Sequence, residues 1–335
     1  MKRFMLVLIL MCGVVAVFML ARQSAAQQSP AVEGVQQGQT GGRGQSGERS
    51  ARDPRTVGGG QCGNSAYNCI DTPNPISRFD TVWLEEMTWM DVRDAIKAGK
   101  TTVIVSTGGI EPNGPWLALG KHNYILRATC DAIARKLGNA LCAPILPFVP
   151  EGNIDPKTGA MTTVGTISVR EETFRATLTD IVSSLKMHGF QNMILIAESG
   201  GNINGMQAVA NELNDRWNGN PLVAYIPEYY NADHPSDTGP LGRLLTQMGV
   251  TKEGQHTDGI HDDPQTTAVM MITNPDTVRW EQRVRTNKAT INGVSIADKT
   301  KVLEIGQKVV NLRAAITVAA IKIAIENKGK TIALH

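Results

Sequence analysis

The chain has 335 residues, 33 Lys+Arg against 31 Asp+Glu, and 41% hydrophobic residues. That length suits one large domain or two small ones, and the apolar fraction can fill a core. A formal charge of +2, with no basic stripe interleaved with aromatics, argues against a nucleic-acid-binding surface. Lys2 and Arg3 precede the apolar run Phe4 to Leu20, and Ser24-Ala25-Ala26 offers small residues where a signal peptidase cuts. Residues 1–26 are therefore read as a signal peptide, which makes the protein exported, periplasmic or secreted, with no membrane association after cleavage. The competing reading is an uncleaved anchor, because Phe4 to Ala21 is just long enough to span a bilayer. Residues 27–74 are rich in Gly, Gln and Ser and poor in large apolar side chains, so they cannot bury enough to offset their ordering entropy. This linker holds Cys62 and Cys69, whose close spacing in an exported chain reads as a local disulfide, or else as two free thiols. Cys130 and Cys142 read as small buried hydrophobes.

From there the pattern alternates. A helix is predicted over Thr81 to Ala98, a buried strand over Thr101 to Ser106, and a helix over Asn123 to Leu137 stopped by Gly138. Ala140 to Leu146 reads as a second strand, and Phe148 to Thr163 as a loop long enough to be functional. Ser168 to Met187 reads as a helix, with Ser168 and Glu171 as a capping box. Asn192 to Ala197 and Leu222 to Ile226 read as strands flanking a helix over Ile203 to Trp217, and further helices are expected within 243–248, 266–271 and 301–326. Short apolar strands alternating with helices define a single α/β/α layered domain, residues 75–335, with a mostly parallel sheet.

The loop after the first strand, Ser106 to Asn123, carries the carboxylate Glu111 and the imidazole His122. A Gly/Pro-rich loop at the carboxyl end of a strand is where open α/β sheets place their sites, and these side chains are metal ligands. The sequence resembles the creatininase (creatinine amidohydrolase) family. That family has a Gly-x-x-Glu-x-His-Gly-Pro-x-Leu-x-x-Gly-x-Asp motif, and the frame here reads Gly108-Gly-Ile-Glu111-Pro-Asn113-Gly-Pro-Trp116-Leu-Ala-Leu-Gly120-Lys-His122. Val164 to Ser168 matches its Pro-Gly-Thr-Ile-Ser segment, Ala197 to Asn202 its Asn-Gly-His-Gly-Gly-Asn segment, and His261 with Thr266-Thr267 its last motif.

The resemblance implies a metal-dependent hydrolase of non-peptide C–N bonds, acting on a small-molecule substrate and assembled as a homo-oligomer, a hexamer in the family. Family members hold two divalent metals through the Glu, the two His and the Asp of these motifs and another carboxylate. Here Glu111 is retained, but Asn113 replaces the first His, His122 the Asp, and Ser199 the second His. A rearranged set, Glu111, His122 and Glu198, is expected to hold one Zn²⁺ or Mn²⁺, with Asp262 or Asp263 as a fourth ligand; this grouping rests on ligand chemistry alone. His261, at the family's catalytic His, is the expected proton shuttle, oriented by Asp262 or Asp263. Gly200, Gly201 and Asn202 open a helix whose N–H groups suit an anionic oxygen. Asn113, Trp116, Glu151 and Ser199 complete the expected substrate pocket. Competing structural roles are loop bonding for Glu111, a helix-end position for His122, a helix-dipole contact for Glu198, an ion pair with Asp262 for His261, and plain packing for Trp116. Two other functions compete: a non-catalytic small-molecule-binding protein of the same fold, and a serine hydrolase using Ser199. His188, His234, His256 and His335 are assigned no role.

Overall fold

The computed structural model describes residues 73–76, 79–232, 239–250 and 261–328. They all belong to one compact unit that begins at Thr72. The expected signal peptide, the Cys62–Cys69 pair and nearly all of the linker lie outside the described residues, as do His234, His256 and His335. No helix among the described residues is long and apolar enough to cross a membrane.

Helix α1 (Trp89–Lys97) precedes strand β1 (Thr102–Thr107), helix α2 (Lys121–Leu137) and strand β2 (Ala140–Cys142). Helix α3 (Glu171–Met187) leads to β3 (Asn192–Ala197), and α4 (Ile203–Trp217) to β4 (Leu222–Tyr225). The four strands form one sheet in the order β2-β1-β3-β4, with every pairing parallel. Because side chains alternate across a strand, both faces must be apolar when helices cover both. Ile104, Ile194, Ile196, Leu222 and Ala224 pack with Leu126, Cys130 and Ile133 of α2 on one face. Val103, Val105, Met193, Leu195 and Val223 pack with Phe174, Leu178, Met206 and Val209 of α3 and α4 on the other. The expected three-layered α/β fold is thus present.

The C-terminal part adds α5 (Pro227–Asn231), α6 (Pro240–Gln247), α7 (Pro264–Thr273), α8 (Trp280–Arg285), a small hairpin of β5 (Thr290–Ile291) and β6 (Val294–Ser295), and the 28-residue α9 (Lys299–Glu326). Residues of α6, α7, α9 and the hairpin build a third apolar cluster with Leu117 and Ile125.

Several expectations are corrected. The helix predicted over Thr81 to Ala98 is broken: Leu84–Glu86 is a 3-10 turn, and Thr88 restarts the chain as α1. Thr88 and Asp91 form a reciprocal capping box, which satisfies two otherwise orphaned amides and fixes the new start. The box expected at Ser168 is absent, because α3 begins at Glu171 and Ser168 is used elsewhere. Cys130 and Cys142 are not separate thiols; they form a disulfide with Cα atoms 6.3 Å apart, tying α2 to β2 in the core.

Candidate metal centre

The sheet topology places a crevice before any side chain is considered. The chain after β1 enters α2 on one face, and the chain after β3 enters α4 on the other. The carboxyl ends of these adjacent strands therefore flank a topological switch point, where open α/β sheets bind ligands. Glu111 and Asn113 come from the loop after β1, His122 from the first turn of α2, and Ser199 from the turn after β3. Glu151 arrives from the long loop and His261 from just before α7.

Three groups converge there. One ligand atom each from Glu111, His122 and Glu151 lie within 4.8 Å of one another. Nε2 of His122 is 2.7 Å from Oε1 of Glu111. The Lys121 ammonium stands 3.3 Å from the same oxygen, and Nδ1 of His261 3.4 Å from it. The His122 and His261 rings meet edge-on at 6.3 Å. His122 and Glu151 are buried. Gly109 makes the approach possible: a Cβ there would lie 2.1 Å from Oε1 of Glu151 and 3.2 Å from the His122 ring.

The two carboxylates are driven in opposite directions. Burial pushes Glu111 up, but the His122 hydrogen bond and the charges of Lys121, His122 and His261 outweigh it and bring the group to about 2. Burial, helped by the Glu111 charge, raises Glu151 to about 8 against the weaker pull of Ser199 and Lys121. One ionised and one protonated carboxyl side by side is what two acids sharing a site must do without a further cation.

The loop holding Glu151 is built by Ser168. The Ser168 hydroxyl donates to the Gly152 carbonyl at 2.7 Å and accepts from the Glu151 amide at 2.9 Å. Glu151, expected only to line the pocket, stands in the cluster itself. Ser199 donates to Oε2 of Glu151 at 3.4 Å, and no histidine among the described residues is hydrogen-bonded to it as an imidazole base would be.

His261 is held by Asn113. The Asn113 amide donates to the carbonyls of Glu111 and Ala118 at 2.8 and 3.0 Å, so its Oδ1 must be the end that meets Nδ1 of His261 at 3.0 Å. An acceptor there fixes the neutral imidazole as its Nδ1–H tautomer and makes Nε2 the basic nitrogen. His261 adopts φ 66, a left-handed backbone uncommon for a side chain of this kind.

The remaining expected residues fall elsewhere. Glu198 lies outside the Glu111–His122–Glu151 cluster: its oxygens receive Arg313 of α9 at 2.9 and 3.3 Å, and the Tyr229 hydroxyl donates to it as well. Asp262 is fully buried, paired with Arg283 at 2.5 Å and hydrogen-bonded by Thr267. Asp263 is the N-cap position of α7. Trp116 lies under the Arg283 guanidinium, 5.1 Å from its ring centre, a packing contact. Asn202 is consumed structurally, donating to Thr107 Oγ1 and the Gly108 carbonyl at 2.9 Å each. Gly200 and Gly201 form a 3-10 turn with Asn202, and Gly201 lies so close to the Pro150 carbonyl that a Cβ would stand 2.3 Å from it.

Comparison with known proteins agrees with this frame. The family description creatinine amidohydrolase matches residues 85–318, and the chain belongs to the creatininase family. A creatinine amidohydrolase from Pseudomonas putida is 25% identical over 116 residues, 35% of this chain. The match spans 44% of that relative, less than half its length. Among solved structures, a creatininase variant complexed with creatine superposes with a TM-score of 0.52 at 19% identity, covering 75% of this chain and all of the other. A manganese form of creatininase gives 0.50 at 19% identity, with the same coverage. These likenesses establish the fold.

Proposed function

We propose that the protein is a metal-dependent amidohydrolase that cleaves a C–N bond in a small amide or cyclic amide. The observation that carries this reading is the centre at Glu111, His122 and Glu151. Among the described residues, Oε1 of Glu151 and Nδ1 of His122 are buried without a hydrogen-bond partner. Buried acceptors left unpaired cost free energy unless something else satisfies them. Two carboxylates and an imidazole, converging within 4.8 Å, fit one hard-to-borderline divalent cation, Zn²⁺ or Mn²⁺.

Such a cation supplies Lewis-acid polarisation of a carbonyl and a more acidic water. The chain supplies the rest. Glu111 and Glu151 anchor the charge, and Gly109 keeps the approach open. His261, its Nδ1 committed to Asn113, takes a proton at Nε2 from the attacking water and returns it to the leaving nitrogen. Asp262 contributes by holding the His261 segment through its buried pair with Arg283. The buried Cys130–Cys142 disulfide supports an oxidising destination and hence the exported reading of residues 1–26.

The test is a hydrolysis screen over small amides and cyclic amides with added Zn²⁺ or Mn²⁺, on the wild type and His261→Ala. The variant is expected to keep its metal and lose about 10²–10⁴-fold in turnover, the usual share of a general acid–base group. Retained turnover would remove His261 from the chemistry. Metal uptake without hydrolysis of any C–N substrate would favour a binding protein of this fold.

A further inference from the structure

We propose that Lys121 is a built-in cation of the centre, an ammonium fixed beside Glu111 that limits the site to one divalent ion. The residue is oddly placed for any other purpose. It is 5% exposed, and burying an ammonium is costly unless a counter-charge meets it. It opens α2, where the helix dipole disfavours a cation. Both costs are offset by one contact, the 3.3 Å ion pair with Oε1 of Glu111. The Lys121 charge also reaches Glu151, where it favours the ionised form.

The charge count of the cluster then restricts what binds. Glu111 and Glu151 together offer two negative charges when ionised. One divalent cation and Lys121 already exceed that, and a second divalent ion would have to enter beside both, with repulsion little screened in a buried site. Lys121 also competes for the Glu111 oxygen, so it tempers the affinity of the single ion while fixing the count.

This inference rests on the reading that Glu111, His122 and Glu151 bind a divalent cation, and calorimetric titration of the full chain with Mn²⁺ separates the two. The wild type is expected to take one equivalent. Lys121→Met, which keeps the stem and removes the charge, should bind that equivalent about tenfold tighter or more. Lys121→Arg, which keeps the charge, should bind like the wild type, and it guards against a mere folding defect in the methionine variant. Two equivalents in the wild type, unchanged or weaker binding by Lys121→Met, or a Lys121→Arg that behaves like Lys121→Met would overturn the role of Lys121 while leaving the metal reading standing. No binding by any of the three would overturn the metal reading and this inference with it.

Discussion

Glu111 and Glu151 hold the electrostatic tension of the site between them. Glu111 sits near 2, below its ordinary 4.5, so it adds stability above pH 4.5 and gives it up as the pH falls toward 2. Glu151 sits near 8, above 4.5, so the folded state holds its proton more tightly than the unfolded chain does. Its contribution is fully present below pH 4.5 and is lost as the pH rises toward 8. The metal-free protein should therefore melt at progressively lower temperature between those limits, and Glu151→Gln should flatten that decline. A decline of the same steepness in the variant would show that another group causes it. In the sequence, Glu198 is the more conspicuous second carboxylate, because it adjoins the position of the family's lost histidine. Strand parity was the signal against it. Glu198 continues the register of Ile194 and Ile196, which face α2 and α9, whereas Ser199 continues that of Met193 and Leu195, which face α3 and α4. No comparable periodicity exists along the loop that carries Glu151, so nothing local could have marked it as a ligand.

Helices and strands were legible where the apolar period was long. Strand β3 and helix α4 fall on their expected bounds, because Met193 to Ala197 is an unbroken buried run and Gly219 follows the end of α4. The start of α2 was set two residues too late, which left His122 outside the helix; Gly120 acts as the N-cap without a side-chain bond, so no Ser, Thr, Asp or Asn announced it. Long-range pairs were invisible. Arg313 lies 115 residues from Glu198, and Arg283 lies 21 from Asp262. Both arginines are 1% exposed, and each locks its own helix, α9 or α8, to a segment beside the site. Arg313→Met should strand a buried Glu198 charge and cost about 3–5 kcal/mol, the usual effect of breaking a buried pair from one side. Denaturant unfolding of the variant measures this; a loss under about 1 kcal/mol would mean that Tyr229 alone satisfies Glu198.

The alternation of strand and helix was enough to define a three-layered α/β molecule, and the strand order then dictates where its crevice opens. The ligand set was only partly legible, since Glu111 and His122 share one motif whereas Glu151 joins them through the tertiary path of a 20-odd-residue connection. The disulfide was not legible either: Cys130 and Cys142 are only 12 residues apart, but their pairing depends on how α2 packs back against β2, which spacing alone does not reveal. The proposed hydrolase activity of the whole molecule depends on a cation held by Glu111, His122 and Glu151 together. The most direct measurement is Zn²⁺ or Mn²⁺ affinity of the wild type against Glu151→Gln, by calorimetric titration. The wild type is expected to bind one equivalent and the variant to lose more than about 100-fold in affinity, beyond what losing an outer-shell partner costs. Equal affinity in the two proteins would contradict that expectation.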